Sequence, residues 1–270
     1  MKNYLIYYFK LICGIFKDHT LLFSFARKDF QRRFAGSYFG IIWGLFQPFL
    51  TMLVYWAVFQ FAFQGNPVND VPFILWFSCG IIPWLFFSEA FSMSSGCFLE
   101  YAYLVKKVVF NIDILPLVKI FSSAFIHAFF IIILILLCLI FGYPPTFFII
   151  QTVYYFFCMI VFLYAITLIT SSIIIFFRDL NQIISVLLLI GMWCTPIAWE
   201  LSAVPSYFHA FIMWNPIYYI VEGYRDSFIN KTWFWQKPEL TIRYWTITII
   251  LLSFGIFIYQ KLKPRFADVL

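Results

Sequence analysis

Between residues 39 and 63 the chain carries no charged side chain, and comparable apolar runs recur almost to its end. A helix of about 20 apolar residues is what the hydrocarbon of a bilayer requires. Every backbone N–H and C=O must be satisfied inside such a segment, so lipid admits helices or closed barrels only. Runs of this length are what spanning helices take. The feature therefore predicts an all-α integral membrane protein.

Composition supports this. Of 270 residues, 64% are hydrophobic and 11% charged. A soluble domain needs roughly 25% charge to cover its surface. The runs predict spans at 39–63, 73–96, 116–141, from the Tyr143-Pro144-Pro145 turn to 176, at 183–199 and at 240–260. Six spans leave no room for a second domain. The expected organisation is one membrane domain over 1–270, with interfacial helices in 3–36, a six-span core in 37–262 and a tail in 263–270. Residues 4–17 are apolar except for Lys10 and Lys17, which share a face with Asn3. This pattern predicts an amphipathic helix lying in the cytoplasmic interface. Residues 200–238 hold apolar pieces too short to span, broken by Pro205 and Asn215-Pro216. They predict re-entrant or interfacial helices on the outer side.

The net charge of +6 does not form the single soluble stripe that nucleic acid would need. Of eighteen lysines and arginines, fourteen fall on one side of the expected spans, and only Arg225, Lys231, Lys237 and Arg243 on the other. The positive-inside rule then places both termini in the cytoplasm of a multi-pass protein of the cell membrane. The N-terminus lacks the pattern of a cleavable signal. The six cysteines include no CxxC pair and read as small core residues.

Several chemistries lack their motifs. There is no G-x-x-x-x-G-K-[ST] for ATP phosphates, no H-E-x-x-H for zinc and no G-x-S-x-G for acyl transfer. One histidine, His127, falls within a span and reads as packing. Ionisable groups inside spans are few, Glu89 and Lys119 near span ends, which weakens a proton-coupled carrier. No catalytic site and no metal site is expected on this chain.

Four constellations remain. Arg27, Lys28, Arg32 and Arg33 stand before the first span, where a lipid pyrophosphate could meet charge-assisted hydrogen bonds. Attraction to anionic lipid explains the same cluster, and Asp29 is spaced to pair with Arg33. Gly36, Gly40 and Gly44 recur every fourth residue, as on a close-packed helix face. The internal stretch 97–113 reads as a short helix in a cytoplasmic loop, able to receive force from another subunit or simply to connect. Glu222 shares a helical face with Arg225 or Asp226, as i, i+3 and i, i+4 neighbours, which would suit an outer gate or a solvated ion pair. Aromatic residues make up 24% of the chain. They would suit a glycan path or lipid-facing belts.

In order and spacing, several segments resemble the permease family of type-2 ABC exporters that move O-antigen, capsule and teichoic acid. They are GSYFGIIWGLFQPFL, VPFILWFSCGIIPWLFF, LVKKVVFNIDILP, FFRDLNQIISVLLLIGMWCTPIAW, WNPIYYIVEGYRDSF and the tail PRFADVL. The tail and the VPF segment are most similar to the teichoic acid branch. The resemblance implies a homodimer of six-span subunits joined to two copies of a separate ATPase that binds ATP and Mg. It implies ATPase-contact elements at Tyr103, Leu104, Val105, Lys106, Lys107, Val108 and Phe110, and at Arg178 and Asp179. It implies an outer gate built on Trp214, Tyr218, Tyr219, Glu222, Arg225 and Asp226. The implied cargo is a polyprenyl-pyrophosphate-linked polymer, with teichoic acid the leading reading and O-antigen or capsule the alternative. A drug or small-lipid exporter, or a membrane glycosyl- or acyl-transferase, would share much of the composition.

Overall fold

The computed structural model describes residues 18–36, 38–62, 70–107 and 111–270. The expected interfacial helix at 4–17 lies outside them. The described residues are helical nearly throughout. The main helices are α1 (His19–Arg33), α2 (Ile42–Ala57), α3 (Phe73–Ser95), α4 (Leu115–Ile140), α5 (Gln151–Ile174), α6 (Leu180–Cys194), α7 (Ser206–Met213), α8 (Pro216–Arg225) and α9 (Pro238–Leu262).

Five helical stretches among the described residues are long and apolar enough to cross a membrane: Ile42–Phe61, Phe73–Ser95, Ile112–Ile140, Phe147–Ile174 and Pro238–Val269. They agree with five of the six expected spans. The remaining one is shorter than expected. In place of 183–199, α6 has 15 residues and stops at Cys194, a rise of about 22 Å. Pro196 is the cause. The residue before a proline is pushed out of the α region, and Thr195 is extended, with φ −99° and ψ 134°.

Local chemistry sets the other boundaries. Pro116 opens α4, where the missing N–H costs nothing. Asn215 caps α8 by accepting from the Ile217 N–H at 3.0 Å, with Pro216 in the first turn. The expected helix in 97–113 is two single turns, Cys97–Glu100 and Ala102–Val105, then a 3-10 turn at Ile112–Ile114.

The glycine stripe does not form. Gly36 and Gly40 lie in the turns between α1 and α2 with φ of +89° and +52°, a region that favours glycine. Only Gly44 is helical, and the Phe34 ring fills the place a side chain would take. A four-residue spacing cannot by itself distinguish a packed face from successive turns.

Helix α3 is the hub of the bundle. It packs most extensively on α4 and also meets α5, α6 and α8, while α9 lies along α5 and α1 along α4. Small polar residues let these helices approach. Ser94 and Thr167 share a hydrogen bond at 2.8 Å, and Ser95 and Thr170 one at 2.9 Å, across α3 and α5.

Candidate coupling and gating sites

Helix α1 presents two faces. Leu22, Ala26 and Asp29 are buried, while Arg27, Lys28 and Arg32 point outward. Asp29 does not pair with Arg33. It accepts from Lys119 Nζ at 2.6 Å and from the Tyr101 hydroxyl. Lys119 is 1% exposed and also meets Glu100 at 2.8 Å. Burial, then the Asp29 carboxylate, raise the Tyr101 phenol far above its ordinary range, so it donates at any physiological pH. Arg33 instead reaches Glu89 on α3. That pair lines a cleft of about 410 Å³ with Phe34, Trp43, Gln47 and Ser88.

Loop residues Tyr103, Lys106 and Lys107 are exposed, Leu104 is buried and Val105 half-buried. Val108 and Phe110 lie outside the described residues. The return leg of the loop is held from several directions. Asn111 donates to Asp18 at 2.9 Å, and Asp113 accepts from Tyr259 and Lys263. The tail is not a free end, because Phe266 is buried between Phe98 and Phe176, with centroids 5.3 and 6.4 Å away. That contact sets the exposed Arg178-Asp179 turn at the same end of the bundle as the loop.

At the opposite end, Arg225 is 3% exposed. It donates to Glu222 at 2.7 Å and to the Ile197 carbonyl at 3.0 Å, and its guanidinium lies 3.6 Å above the Trp76 ring. With Glu200 and Tyr218, these side chains line a cavity of about 440 Å³. Asp226 turns away and binds Lys237 at 2.6 Å. Tyr219 faces the bundle, sharing hydrogen bonds at 3.1 Å with Tyr154 and Thr241. Trp214 is exposed. The six outer residues therefore split into a cavity group, a bundle-facing group and a surface ring. Midway along the bundle, His127 shares a hydrogen bond with Tyr224 at 2.8 Å and stacks on Phe86.

Residues 20–229 match the family described as ABC-2 type transporter. The chain belongs to that family. Two O-antigen export system permease proteins RfbA from Klebsiella pneumoniae are each 27% identical to this ABC-2 chain over 252 residues, 93% of it and 95% of the relative. One of the same name from Myxococcus xanthus is 24% identical over 261 residues, 96% of this chain and 98% of the relative. Sequence reasoning overlooked the Lys119 node and the buried Phe266. The available signal was that Asp29 shares a helical face with Leu22 and Ala26, an acidic residue where the pattern asks for an apolar one.

Proposed function

We propose that this ABC-2 chain is the membrane subunit of an ATP-driven exporter that carries a polyprenyl-pyrophosphate-linked O-antigen polysaccharide from the cytoplasm to the cell surface. The observation that carries the reading is similarity, over nearly the whole length, to permeases named for O-antigen export. It moves the cargo away from teichoic acid, to which the tail and the VPF segment had pointed. Two copies would work with two copies of a separate ATPase holding ATP and Mg. The absence of a P-loop from the sequence supports that division.

Six crossings with both termini in the cytoplasm fit the charge distribution. Helix α6 supplies about 22 Å of the roughly 30 Å of hydrocarbon, and the chain after it bends back, with the Ile197 N–H on the Thr195 carbonyl at 2.7 Å. Thr195, Pro196 and Ile197 are buried, so the non-helical backbone there is covered by protein. In this arrangement ATP binding draws the ATPases together against Tyr103–Lys107 and the Arg178-Asp179 turn. The lipid pyrophosphate meets Arg27, Lys28 and Arg32 at the cytoplasmic surface. Tyr218, Glu222 and Arg225 stand at the outer end of the path.

The test is deletion and complementation. Loss of the chain removes O-antigen from the surface of intact cells, and complementation restores it. In the purified complex, Lys106→Glu with Lys107→Glu lowers both ATP turnover and surface polymer. ATP hydrolysis by the chain alone, or hydrolysis stimulated by hydrophobic drugs and not by polyprenyl-linked glycan, sinks the reading.

A further inference from the structure

We propose that α1 and the two described legs of the loop joining α3 to α4, residues 97–107 and 111–114, are latched into one rigid lever, with Lys119 as its positioning residue. The proposal rests on the reading of the chain as an ATP-driven exporter. Its basis is a set of polar contacts that join the two segments at points far apart.

The first latch closes the leading end of the loop. Lys119 Nζ lies 2.6 Å from Asp29 Oδ1, 2.8 Å from Glu100 Oε2 and 5.0 Å from the Tyr101 ring centroid. Its partners come from α1, from the turn Cys97–Glu100 and from the residue that follows it. Tyr101 also donates directly to Asp29. The second latch closes the trailing end, where Asn111 Nδ2 donates to Asp18 Oδ2 at 2.9 Å. Asp18 and Asp29 are eleven residues apart, about 16 Å along a helix. A segment held at two points that far apart cannot pivot about either one. A third tie, from Lys263 and Tyr259 to Asp113, with the Tyr164 hydroxyl on the Asp113 carbonyl at 3.2 Å, fixes the root of α4.

A buried ammonium is a costly way to gain stability, because desolvation offsets most of the attraction, and an apolar side chain of similar size often packs as well. What the ion network supplies is a single geometry. Meanwhile Tyr103, Lys106 and Lys107 on the loop and Arg27, Lys28 and Arg32 on α1 stay exposed. A push on that surface therefore reaches α1 and the start of α4 together. Helix α1 leads on to α2, the least buried of the described spans.

A reversible cross-link tests rigidity directly. Asp18→Cys with Asn111→Cys, in a background freed of native cysteines and assembled with its ATPase, is oxidised and then reduced. With α1 and the loop moving as one, oxidation leaves ATP hydrolysis and surface polymer at the rates of the reduced complex. A rate that falls on oxidation and returns on reduction overturns the lever. A second arm addresses Lys119. In Lys119→Met, polymer exported per ATP falls about fivefold or more, in the range of ordinary coupling energies, while Lys119→Arg keeps it. A Lys119→Met complex with the parent ratio also overturns the proposal. If Lys119→Met fails to assemble, the cross-link decides. If the reduced parent hydrolyses ATP and displays no polymer, the cargo reading fails, and the hydrolysis rates still judge the lever.

Discussion

The spans Ile42–Phe61 and Phe73–Ser95 have the same mean hydropathy, 1.5, yet the apolar stretch of the first is 11% buried within the chain and that of the second 78%. Both satisfy the bilayer equally. They differ in where small side chains fall and not in mean hydropathy. Helix α3 places Ser78, Cys79, Gly80, Ala90, Ser94 and Ser95 among its large residues, and all of these are buried. Helix α2 is mostly bulky beyond Gly44 in its first turn, and its buried residues are Gly44 and Met52. Lipid tails are as apolar as leucine, so hydropathy places a helix in the membrane without saying what it touches. Close approach and interhelical hydrogen bonds decide that.

Loss of Arg225 strikes the hub hardest. Arg225→Leu removes the guanidinium that ties α8 to Trp76 and to the Ile197 carbonyl and leaves Glu222 without its cation. Breaking a buried, hydrogen-bonded ion pair costs about 3 kcal/mol. The expected result is a clear drop in the unfolding temperature of the detergent-purified chain, followed by tryptophan fluorescence. Stability equal to the parent would mean that α8 is held elsewhere. Phe77→Ala comes next. Its side chain is fully buried on α3. The transfer term is small when the alternative environment is lipid, but the cavity remains. At about 24 cal/mol per Å³ the loss is roughly 2 kcal/mol. Third is Ser94→Ala, which leaves Thr167 one hydrogen bond short, worth about 0.6 kcal/mol between membrane helices. An equal loss from Phe49→Ala on α2 would erase the contrast between the two spans.

The sequence revealed what the solvent dictates and much less of what neighbours decide. Five spans were legible because a bilayer fixes a minimum length, and the Asn215-Pro216 break reads directly as a helix start. The early end of α6 was legible too, in Pro196, but a long apolar run masks it when only hydropathy is counted. Partner choice was not legible. Asp29 and Arg33 stand at ideal spacing, yet each pairs elsewhere, Asp29 with Lys119 and Arg33 with Glu89, because α1 turns its Asp29 face onto α4. At the outer end, Arg225 has two carboxylates near it in sequence, Glu222 and Asp226. Lys237 holds Asp226, which leaves Arg225 for Glu222. Such choices depend on residues distant in sequence, and no local pattern encodes them.

The smallest effect belongs to α2 and sharpens the comparison most. Phe46 is 45% exposed on that helix, beside Trp43 and Leu50 along an apolar groove of about 460 Å³. In the isolated chain, Phe46→Ala swaps one lipid-facing group for a smaller one, and the expected change is below about 0.5 kcal/mol. The same substitution measured in the assembled exporter separates two reasons for the low burial of α2. If lipid alone covers the helix, the change stays as small as before. If a second copy of the chain covers it, Phe46→Ala opens a cavity at that contact and the unfolding temperature of the complex falls by several degrees. The proposed pairing of two copies predicts the second result, with the drop confined to the complex. A drop of equal size in the isolated chain would show that α2 is held by its own subunit, and the contrast with α3 would then lie in the resting arrangement of the helices alone.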